Sequence, residues 1–296
     1  MLSYQHEYHA GNTGDILKHT ALCLILSSLC KKEKPFTIID THAGAGRFDL
    51  NDERLLKTGE GKDGILKLKE FCNQNQKSAA EQSGLPYGVQ LYMEKESPYL
   101  KQNLYAGSSE LERIFLREKD TLHLTELHPE AFASLEKNTE LPVLEENKVK
   151  NCAGKIFLHK EDSYKSLVSL TPPLVKRGLI LCDPSYEDKS DYAQVTDALK
   201  AAHKKWNTAV IALWYPLITR RKNETAQMLS SLEDAAKLGN NPCESFNVEL
   251  ITKNPAELTE ESGPHMYGSG MFIMNPPWLL EEQIKEAAEF YGEVVG

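Results

Sequence analysis

The sequence predicts an α/β protein with a mostly parallel sheet that is covered by helices on both faces. Five short apolar runs have the length and composition of buried strands, and helical patterns separate most of them. These runs are residues 35–40, 121–126, 155–159, 178–182 and 209–214. A turn with two glycines, Gly44 and Gly46, follows the first run, which is how many nucleotide-binding α/β folds begin.

Helical patterns fill the segments between these runs. The first helix is predicted over 13–30, because Asn12 or Thr13 can cap it and Asp15 favours its positive end. Further helices are predicted at 131–138, 191–206 and 225–238. Two late strands, at about 246–252 and 270–274, have the position of a C-terminal hairpin and complete a seven-stranded sheet.

One stretch differs from the rest of the chain. Residues 51–96 are rich in Lys, Glu, Gln and Asn, and they contain no strong strand pattern. Apolar residues between Ile65 and Phe71 can form one face of a helix. We therefore expect a small helical insertion subdomain at 51–96, within a main domain of residues 1–50 and 97–296.

Composition and charge exclude several classes of protein. The net charge of −9 argues against holding nucleic acid by broad electrostatics, although local basic patches such as Arg220-Arg221-Lys222 remain candidates. The six cysteines show no Cys-x-x-Cys spacing and no histidine cluster beside them, so we expect no metal site. No apolar run is long enough to span a bilayer, and the first residues lack signal-peptide features. We expect a cytoplasmic protein.

The clearest chemical motif is Asp183-Pro184-Ser185-Tyr186, which follows the apolar run 178–182. It therefore lies at the carboxyl edge of the sheet, where ligands bind in such folds. It resembles the Asp/Asn-Pro-Pro-aromatic tetrapeptide of amino-methyltransferases. The Asp183 carboxylate and the Pro184 carbonyl can accept hydrogen bonds from an aromatic amine, which aims the nitrogen lone pair at a methyl group. Tyr186 can stack on the base.

The third residue of this tetrapeptide departs from the pattern, because serine stands where proline is usual. A proline at position 185 would bias Pro184 towards extended geometry, and Ser185 relaxes that bias. Both hydrogen-bond acceptors remain. We therefore expect activity to remain as well.

Three further features form a series that suits an adenosyl cofactor. The glycine turn at 44–46 lets the backbone approach a ligand. Glu126 ends the next strand and can accept both ribose hydroxyls, and Asp162 follows the strand after that and can accept from the adenine amine. Each feature also has a structural alternative, namely an ordinary turn, a solvated strand end and a helix cap. Together with the tetrapeptide they predict S-adenosylmethionine as the cofactor.

A second segment, Asn275-Pro276-Pro277-Trp278, matches the tetrapeptide literally. It lies so near the end of the chain that a catalytic corner there leaves no room for the remaining strands and helices. We interpret it as the exit from the last strand, with a helix cap at Trp278.

The N-terminal third makes the resemblance specific. The chain is similar to the RlmJ family of bacterial 23S ribosomal RNA adenine-N6 methyltransferases at Ser3-Tyr4, His6, His9–Asn12, Asp15, Leu17-Lys18-His19 and Asp40–Gly46. Further similar segments are Gly59-Glu60, Gly107-Ser108, Leu124–Pro129, Arg177–Leu181, Ala212–Pro216, Ser269–Met271 and Asn275–Trp278. The similarity covers nearly the whole chain and is weakest in 50–105.

The resemblance implies a Rossmann-like class I methyltransferase fold and a set of site residues. The implied cofactor contacts are His19, His42, Ser108, Glu126, Asp162, Ser163 and Asp183. Ser163 stands where the family commonly has glycine, so only a backbone contact carries over there. Tyr4, His6 and Lys18 are implied on the substrate and catalytic side, with Asp183 as the catalytic acceptor. The implied partner is 23S ribosomal RNA, and we expect a monomer that needs no metal.

Two other functions fit parts of the same pattern. The tetrapeptide also serves enzymes that methylate DNA adenine or a protein glutamine. Alternatively, Ser185 marks a chain that has become an inactive RNA-binding scaffold. Identifying which molecule becomes methylated distinguishes these hypotheses.

Overall fold

The computed structural model describes residues 9–75, 84–146, 148–238, 242–258 and 266–296. Tyr4 and His6, the predicted RNA contacts, lie outside the described residues. The strands are β1 Thr37–Asp40, β2 Arg47–Asp49, β3 Leu104–Ala106, β4 Thr121–Thr125, β5 Val143–Glu145, β6 Lys148–Lys150, β7 Lys155–His159, β8 Gly178–Cys182, β9 Val210–Ile218, β10 Ser245–Ile251 and β11 Met266–Met274. The helices are α1 Thr13–Cys30, α2 Glu53–Thr58, α3 Lys67–Asn75, α4 Tyr87–Leu100, α5 Ser108–Phe115, α6 Pro129–Glu140, α7 Ser163–Leu170, α8 Lys189–Lys205, α9 Lys222–Leu238 and α10 Leu280–Val295.

The central sheet has seven strands in the order β10-β11-β9-β8-β1-β4-β7. Neighbours from β9 to β7 pair in parallel, whereas β11 is antiparallel to both β9 and β10. The predicted fold class, a mostly parallel seven-stranded sheet with a C-terminal hairpin, is confirmed. Two small two-stranded sheets, β2-β3 and β5-β6, were not predicted.

The core explains why the central strands are continuous apolar runs. All residues of β1 and β8 are buried, because helices cover both faces of the sheet. Successive side chains point to opposite faces, so Ile38 packs with the layer of α1, α4 and α10, and Ile39 packs with the layer of α8 and α9. The sheet therefore fixes the height at which each strand ends, and with it the position of every residue at its carboxyl edge.

Helix α1 begins and ends where the sequence predicts. The Asn12 side chain accepts a hydrogen bond from the Asp15 backbone N–H at 2.9 Å, which caps the helix. The helix is buried on nearly all sides, because it contacts α4, α5, α10 and β11. Its polar residues Asp15, Lys18 and His19 are consequently inside the protein.

The polar stretch after the first strand and turn is helical, as expected. It contains α2, a π-helical turn at Lys62–Leu66, α3 and most of α4. Helix α4 packs against α1 and α10, and Ile65 is fully buried in the same core layer. The division into a main domain and an insertion subdomain at 51–96 stays a prediction.

No helix among the described residues has the length and apolar character that a membrane crossing requires. All six cysteines are free.

Candidate active site

A cavity opens at the carboxyl ends of β1, β4, β7 and β8, where the sequence predicts the ligand. The structure brings ten of the predicted site residues to its wall. They are Lys18, His19, His42, Gly44, Ser108, Glu126, Asp162, Ser163, Asp183 and Pro184. These residues come from six separate segments of the chain, and the parallel register of the strands gathers them at one edge.

The glycine turn and Glu126 form one end of the cavity. Gly44 has φ of 57° and Gly46 has φ of 81°, a left-handed conformation that glycine adopts without strain. The Gly44 N–H donates to Glu126 Oε2 at 3.0 Å, and the His128 N–H donates to Oε1 at 2.7 Å. Each carboxylate oxygen can accept a second hydrogen bond, so Glu126 is held in place and still able to bind hydroxyl groups.

Asp40, a buried acid for which the sequence predicts no role at the site, supports the floor of the cavity. It ends β1, and its Oδ2 accepts from the Ser108 hydroxyl at 2.7 Å while Oδ1 accepts from the His42 N–H at 3.0 Å. Burial raises the pKa of Asp40 to about 7, although both hydrogen bonds act in the opposite direction. Its position in the sequence could have indicated this role, because an acid at the end of a buried strand and just before a glycine turn lies at the ligand-binding edge of the sheet.

The catalytic corner carries a buried ion triad. Lys18 Nζ lies 2.5 Å from Asp183 Oδ2 and 2.7 Å from Asp15 Oδ1. Burial alone lowers the pKa of Lys18, but the carboxylates of Asp15 and Asp183 outweigh it and raise the pKa, so the side chain is a cation. Asp15 is anchored in turn by the Gly11 N–H, which donates to its Oδ2 at 2.8 Å. Asp15 was predicted in the first helical turn and as part of the family resemblance, without a role at the site.

Two histidines line the wall between the corner and the glycine turn. Burial lowers the pKa of His42 to about 4, so its imidazole is neutral at pH 7, and its Nδ1 lies 2.7 Å from the Thr41 hydroxyl. His19 is 1% exposed, and its Nδ1 lies 2.7 Å from the Tyr105 hydroxyl. Both rings therefore have fixed orientations towards the cavity.

Asp162 combines its two suggested roles. Its Oδ1 accepts from the Lys165 N–H at 2.9 Å and caps α7, as the structural alternative proposes. Asp162 also lines the cavity, and no described residue donates to its Oδ2. The neighbouring Ser163 begins α7 and offers its backbone at the cavity wall.

Among the predicted site residues that the structure describes, Tyr186 is the one that does not line the cavity. Its ring is 5% exposed and packs 4.7 Å from the ring of Tyr192, centroid to centroid. Its hydroxyl donates to the Trp214 carbonyl at 3.0 Å. Backbone φ of 51° turns the side chain away from the cavity and into the core layer of α8 and α9. In this conformation the ring cannot stack on a base, and its role stays a prediction.

The second tetrapeptide lies at the opposite edge of the sheet. Because β11 is antiparallel to β9, Asn275 emerges beside the start of β9, and its Nδ2 donates to the carbonyls of Asn207 and Ala209 at 2.7 and 2.9 Å. Its polar groups thus serve a structural role, far from Asp183. The predicted cap at Trp278 is wrong by one residue, since Leu279 caps α10 with φ of 65°.

Among the described residues there is no group of three or more His, Cys, Asp or Glu side chains that could hold a metal ion.

The strand order, the glycine turn after β1, the acid after β4 and the tetrapeptide after β8 define a class I S-adenosylmethionine-dependent methyltransferase. A family model described as ribosomal RNA large subunit methyltransferase D, RlmJ, matches residues 33–296. The chain belongs to this RlmJ family.

Curated relatives and a solved structure agree with this assignment. The ribosomal RNA large subunit methyltransferase J of Escherichia coli (strain K12) is 36% identical over 287 residues, which cover 96% of this chain and 90% of the relative. That of Haemophilus influenzae is 36% identical over 293 residues, with 97% and 91% covered. The crystal structure of protein LPL1258 from Legionella pneumophila superposes with a TM-score of 0.77 at 30% identity, covering 97% of this chain and 94% of that one.

Proposed function

We propose that this protein transfers a methyl group from S-adenosylmethionine to the exocyclic N6 amine of an adenine in 23S ribosomal RNA. The observation that carries this proposal is the placement of Asp183 and Pro184 on the same cavity wall as Glu126 and Asp162. One end of the cavity thus offers acceptors for an adenosyl group, and the other offers acceptors for a target amine. The curated relatives, named as ribosomal RNA large subunit methyltransferases, supply the class of substrate.

The residues present fit the cofactor. Glu126 retains acceptor capacity for ribose hydroxyls, Asp162 Oδ2 is available for an amine, and Gly44 keeps side-chain atoms away from the turn. When bound, S-adenosylmethionine supplies an electrophilic methyl group. Neutral His42 and buried His19 shape the wall between these acceptors and the catalytic corner.

Asp183 and Pro184 act on the target amine. The lone pair of an adenine amine is delocalised into the ring, so the nitrogen becomes a better nucleophile when its two N–H groups donate to acceptors outside the ring plane. Asp183 provides a carboxylate oxygen and Pro184 provides its carbonyl. Lys18 donates to Asp183 Oδ2, which leaves Oδ1 for the amine. After transfer, the proton that the nitrogen releases can pass to the Asp183 carboxylate.

The test is the identity of the methylated product. The purified protein is incubated with labelled S-adenosylmethionine and, separately, with 23S ribosomal RNA lacking its natural methylations, with duplex DNA and with a peptide release factor. The proposal predicts N6-methyladenosine in the RNA alone. Label in DNA adenine or in a release-factor glutamine would overturn it, and cofactor binding without turnover on any pool would favour the scaffold reading.

A variant pair tests the assigned corner. Asp183→Ala should reduce the methylation rate by at least about 10³-fold, because it removes both an acceptor for the amine and the proton acceptor. Asp197→Ala, an exposed acid on α8, is the matched control and should leave the rate unchanged. Near-normal methylation by Asp183→Ala would mean that another group orients the amine.

The proposal also takes the protein to be a cytoplasmic monomer whose reaction needs no metal. The acceptors for the ribose hydroxyls, the adenine amine and the target amine are all groups of this chain that line the cavity, so none of these roles requires a metal ion. Methylation that persists in excess EDTA, together with a monomer mass from light scattering during turnover, is the expected result. Loss of activity on chelation would contradict it.

A further inference from the structure

Two strands of the sheet, β9 and β11, extend beyond the end of β8, where the catalytic corner lies. Strand β8 ends at Cys182, which pairs with Leu213 of β9, but β9 continues to Ile218. At about 3.3 Å per residue the extra segment is roughly 16 Å long. Met266 of β11 pairs with Ile218, so two strands extend together beyond the carboxyl edge and form a wall beside the cavity.

Four cations lie at the top of this wall. They are Lys189, Arg220, Arg221 and Lys222, which we call the basic rim. Arg220 and Arg221 belong to the single turn Thr219–Arg221 that follows β9, and Lys222 begins α9. The sequence identifies residues 220–222 as a candidate patch, and neither the fold nor the catalytic corner makes use of them.

A shared carboxylate ties the basic rim to the catalytic loop. Glu224 Oε1 lies 3.1 Å from Lys189 Nζ and 3.5 Å from Arg221 Nη1. Lys189 is the first residue of α8, and Glu187 and Asp191 on either side of it line the cavity. The basic rim is therefore next to the cavity mouth. Acids lie among its cations, since Glu224 pairs with Lys189 and Arg221, and the Asp188 carboxylate interacts electrostatically with Arg221.

Lys189, Arg220 and Lys222 all have exposed side chains, and Arg220 and Lys222 differ from Lys189 in their pairing. Neither Arg220 nor Lys222 forms a salt bridge with an acid among the described residues. The Lys222 ammonium lies 5.6 Å from the centroid of the Tyr267 ring, which holds the cation near the top of β11.

We propose that the basic rim binds the phosphodiester backbone of the RNA strand that carries the target adenine. This inference rests on the proposed function. The cavity is recessed below the wall, so a base that reaches Asp183 must leave its neighbours outside, with their phosphates at the height of the rim. Lysine and arginine are the side chains that neutralise phosphates, and such contacts position a strand without reading its sequence.

The test compares two double variants. Arg220→Ala/Lys222→Ala removes the two cations of the basic rim that form no salt bridge among the described residues. Lys204→Ala/Lys237→Ala removes two exposed lysines from the last turns of α8 and α9, at the opposite ends of those helices. Binding to an unmodified 23S ribosomal RNA transcript is measured over a range of KCl concentrations, alongside methylation kinetics and calorimetric binding of S-adenosylmethionine.

The rim variant should bind the transcript about 5- to 30-fold more weakly, with a slope of log K against log salt that is shallower by roughly 1 to 2. Its KM for RNA should rise while kcat and cofactor affinity stay unchanged, and the control should match the unmodified protein. Equal affinity and slope in the two double variants would overturn the proposal, as would a loss confined to kcat.

The same measurements can contradict the proposed function independently of the basic rim. If the unmodified protein binds the transcript but forms no N6-methyladenosine, the function is wrong, while the salt dependence of binding still decides whether the rim contacts phosphates. If the unmodified protein does not bind the transcript at all, both proposals are wrong.

Discussion

Lys18 Nζ lies 2.5 Å from Asp183 Oδ2 and 2.7 Å from Asp15 Oδ1, so one buried ammonium bridges two carboxylates. The substrate amine and Lys18 both require oxygens of Asp183. Asp15 matters because it offers Lys18 an alternative partner in the same buried space. The ammonium can therefore remain paired while Asp183 accepts hydrogen bonds from the amine.

Asp15→Asn tests this arrangement with little change in shape. The amide oxygen can still accept from the Gly11 N–H, but the negative charge beside Lys18 is lost. Lys18 should then direct its charge to Asp183 alone, which makes Asp183 Oδ1 a weaker acceptor for the amine. We expect kcat to fall by about 10- to 100-fold, with cofactor affinity changed less than about twofold.

Two results for Asp15→Asn would contradict this account of the triad. Asp15→Asn with normal kcat, or with a loss explained by a lower melting temperature, would make Asp15 a structural residue only. Circular dichroism and thermal melting of the same preparation provide that control.

Glu126→Gln tests the cofactor end of the cavity. The amide keeps one acceptor oxygen but replaces the other with a donor, which faces the N–H of either Gly44 or His128. Affinity for S-adenosylmethionine should fall by roughly 10- to 100-fold, as measured by calorimetry. Glu136→Gln on the exposed side of α6 is the control, and an equal affinity in both variants would remove Glu126 from the cofactor site.

The sequence predicted the sheet well because parallel strands that are buried on both faces have apolar residues at nearly every position. Strand β8 has the predicted bounds, 178–182. Strand β9 was predicted to end at 214 but continues to Ile218. Pro216 breaks the apparent strand pattern, yet it pairs with Ser269 of the extended hairpin, and only that tertiary context shows it.

The candidate site was predictable where chemistry follows directly from strand ends. Glu126, Asp162 and Asp183 each follow a strand, so their convergence required only the parallel order. Lys18 and His19 came from resemblance alone, because a buried Lys-His pair on a helix looks like a surface pair in sequence. The orientation of Tyr186 depends on one positive φ angle and on space beside Tyr192, which sequence patterns do not encode.

Asp40 makes stability depend on pH in an unusual direction. Its pKa is about 7 in the folded protein, against about 3.9 in an unfolded chain. Between these values the folded state holds a proton that the unfolded state has released. Stability from this group is therefore fully present below about pH 4 and is lost as the pH rises towards 7.

Asp40→Asn removes this titration. The melting temperature of the variant, relative to that of the unmodified protein, should increase as the pH rises from about 4 to 7 and level off above 7. The comparison uses cofactor-free protein in buffers of constant ionic strength. A difference that stays constant across this range would show that Asp40 is ionised in the folded protein.

Gly64→Ala tests the fit between the helical stretch after β2 and the start of α1. A Cβ atom at position 64 would lie 2.1 Å from the Gly11 carbonyl oxygen and 2.9 Å from Asn12 Cα, so the backbone of one segment must move. We expect a loss of about 1–3 kcal/mol in the free energy of unfolding, measured with urea. Gly84→Ala is the matched control, because no atom lies within 4 Å of its Cβ position.

Gly64→Ala should also change the positions of Asp15 and Lys18 at the catalytic corner. Asn12 caps α1, and the Gly11 N–H holds Asp15, which in turn holds Lys18 beside Asp183. A displaced Gly11 should therefore lower kcat at a temperature where Gly64→Ala is still folded, whereas Gly84→Ala should keep full activity. If Gly64→Ala is destabilised but has normal kcat, the contact between these segments supports folding without positioning Asp15.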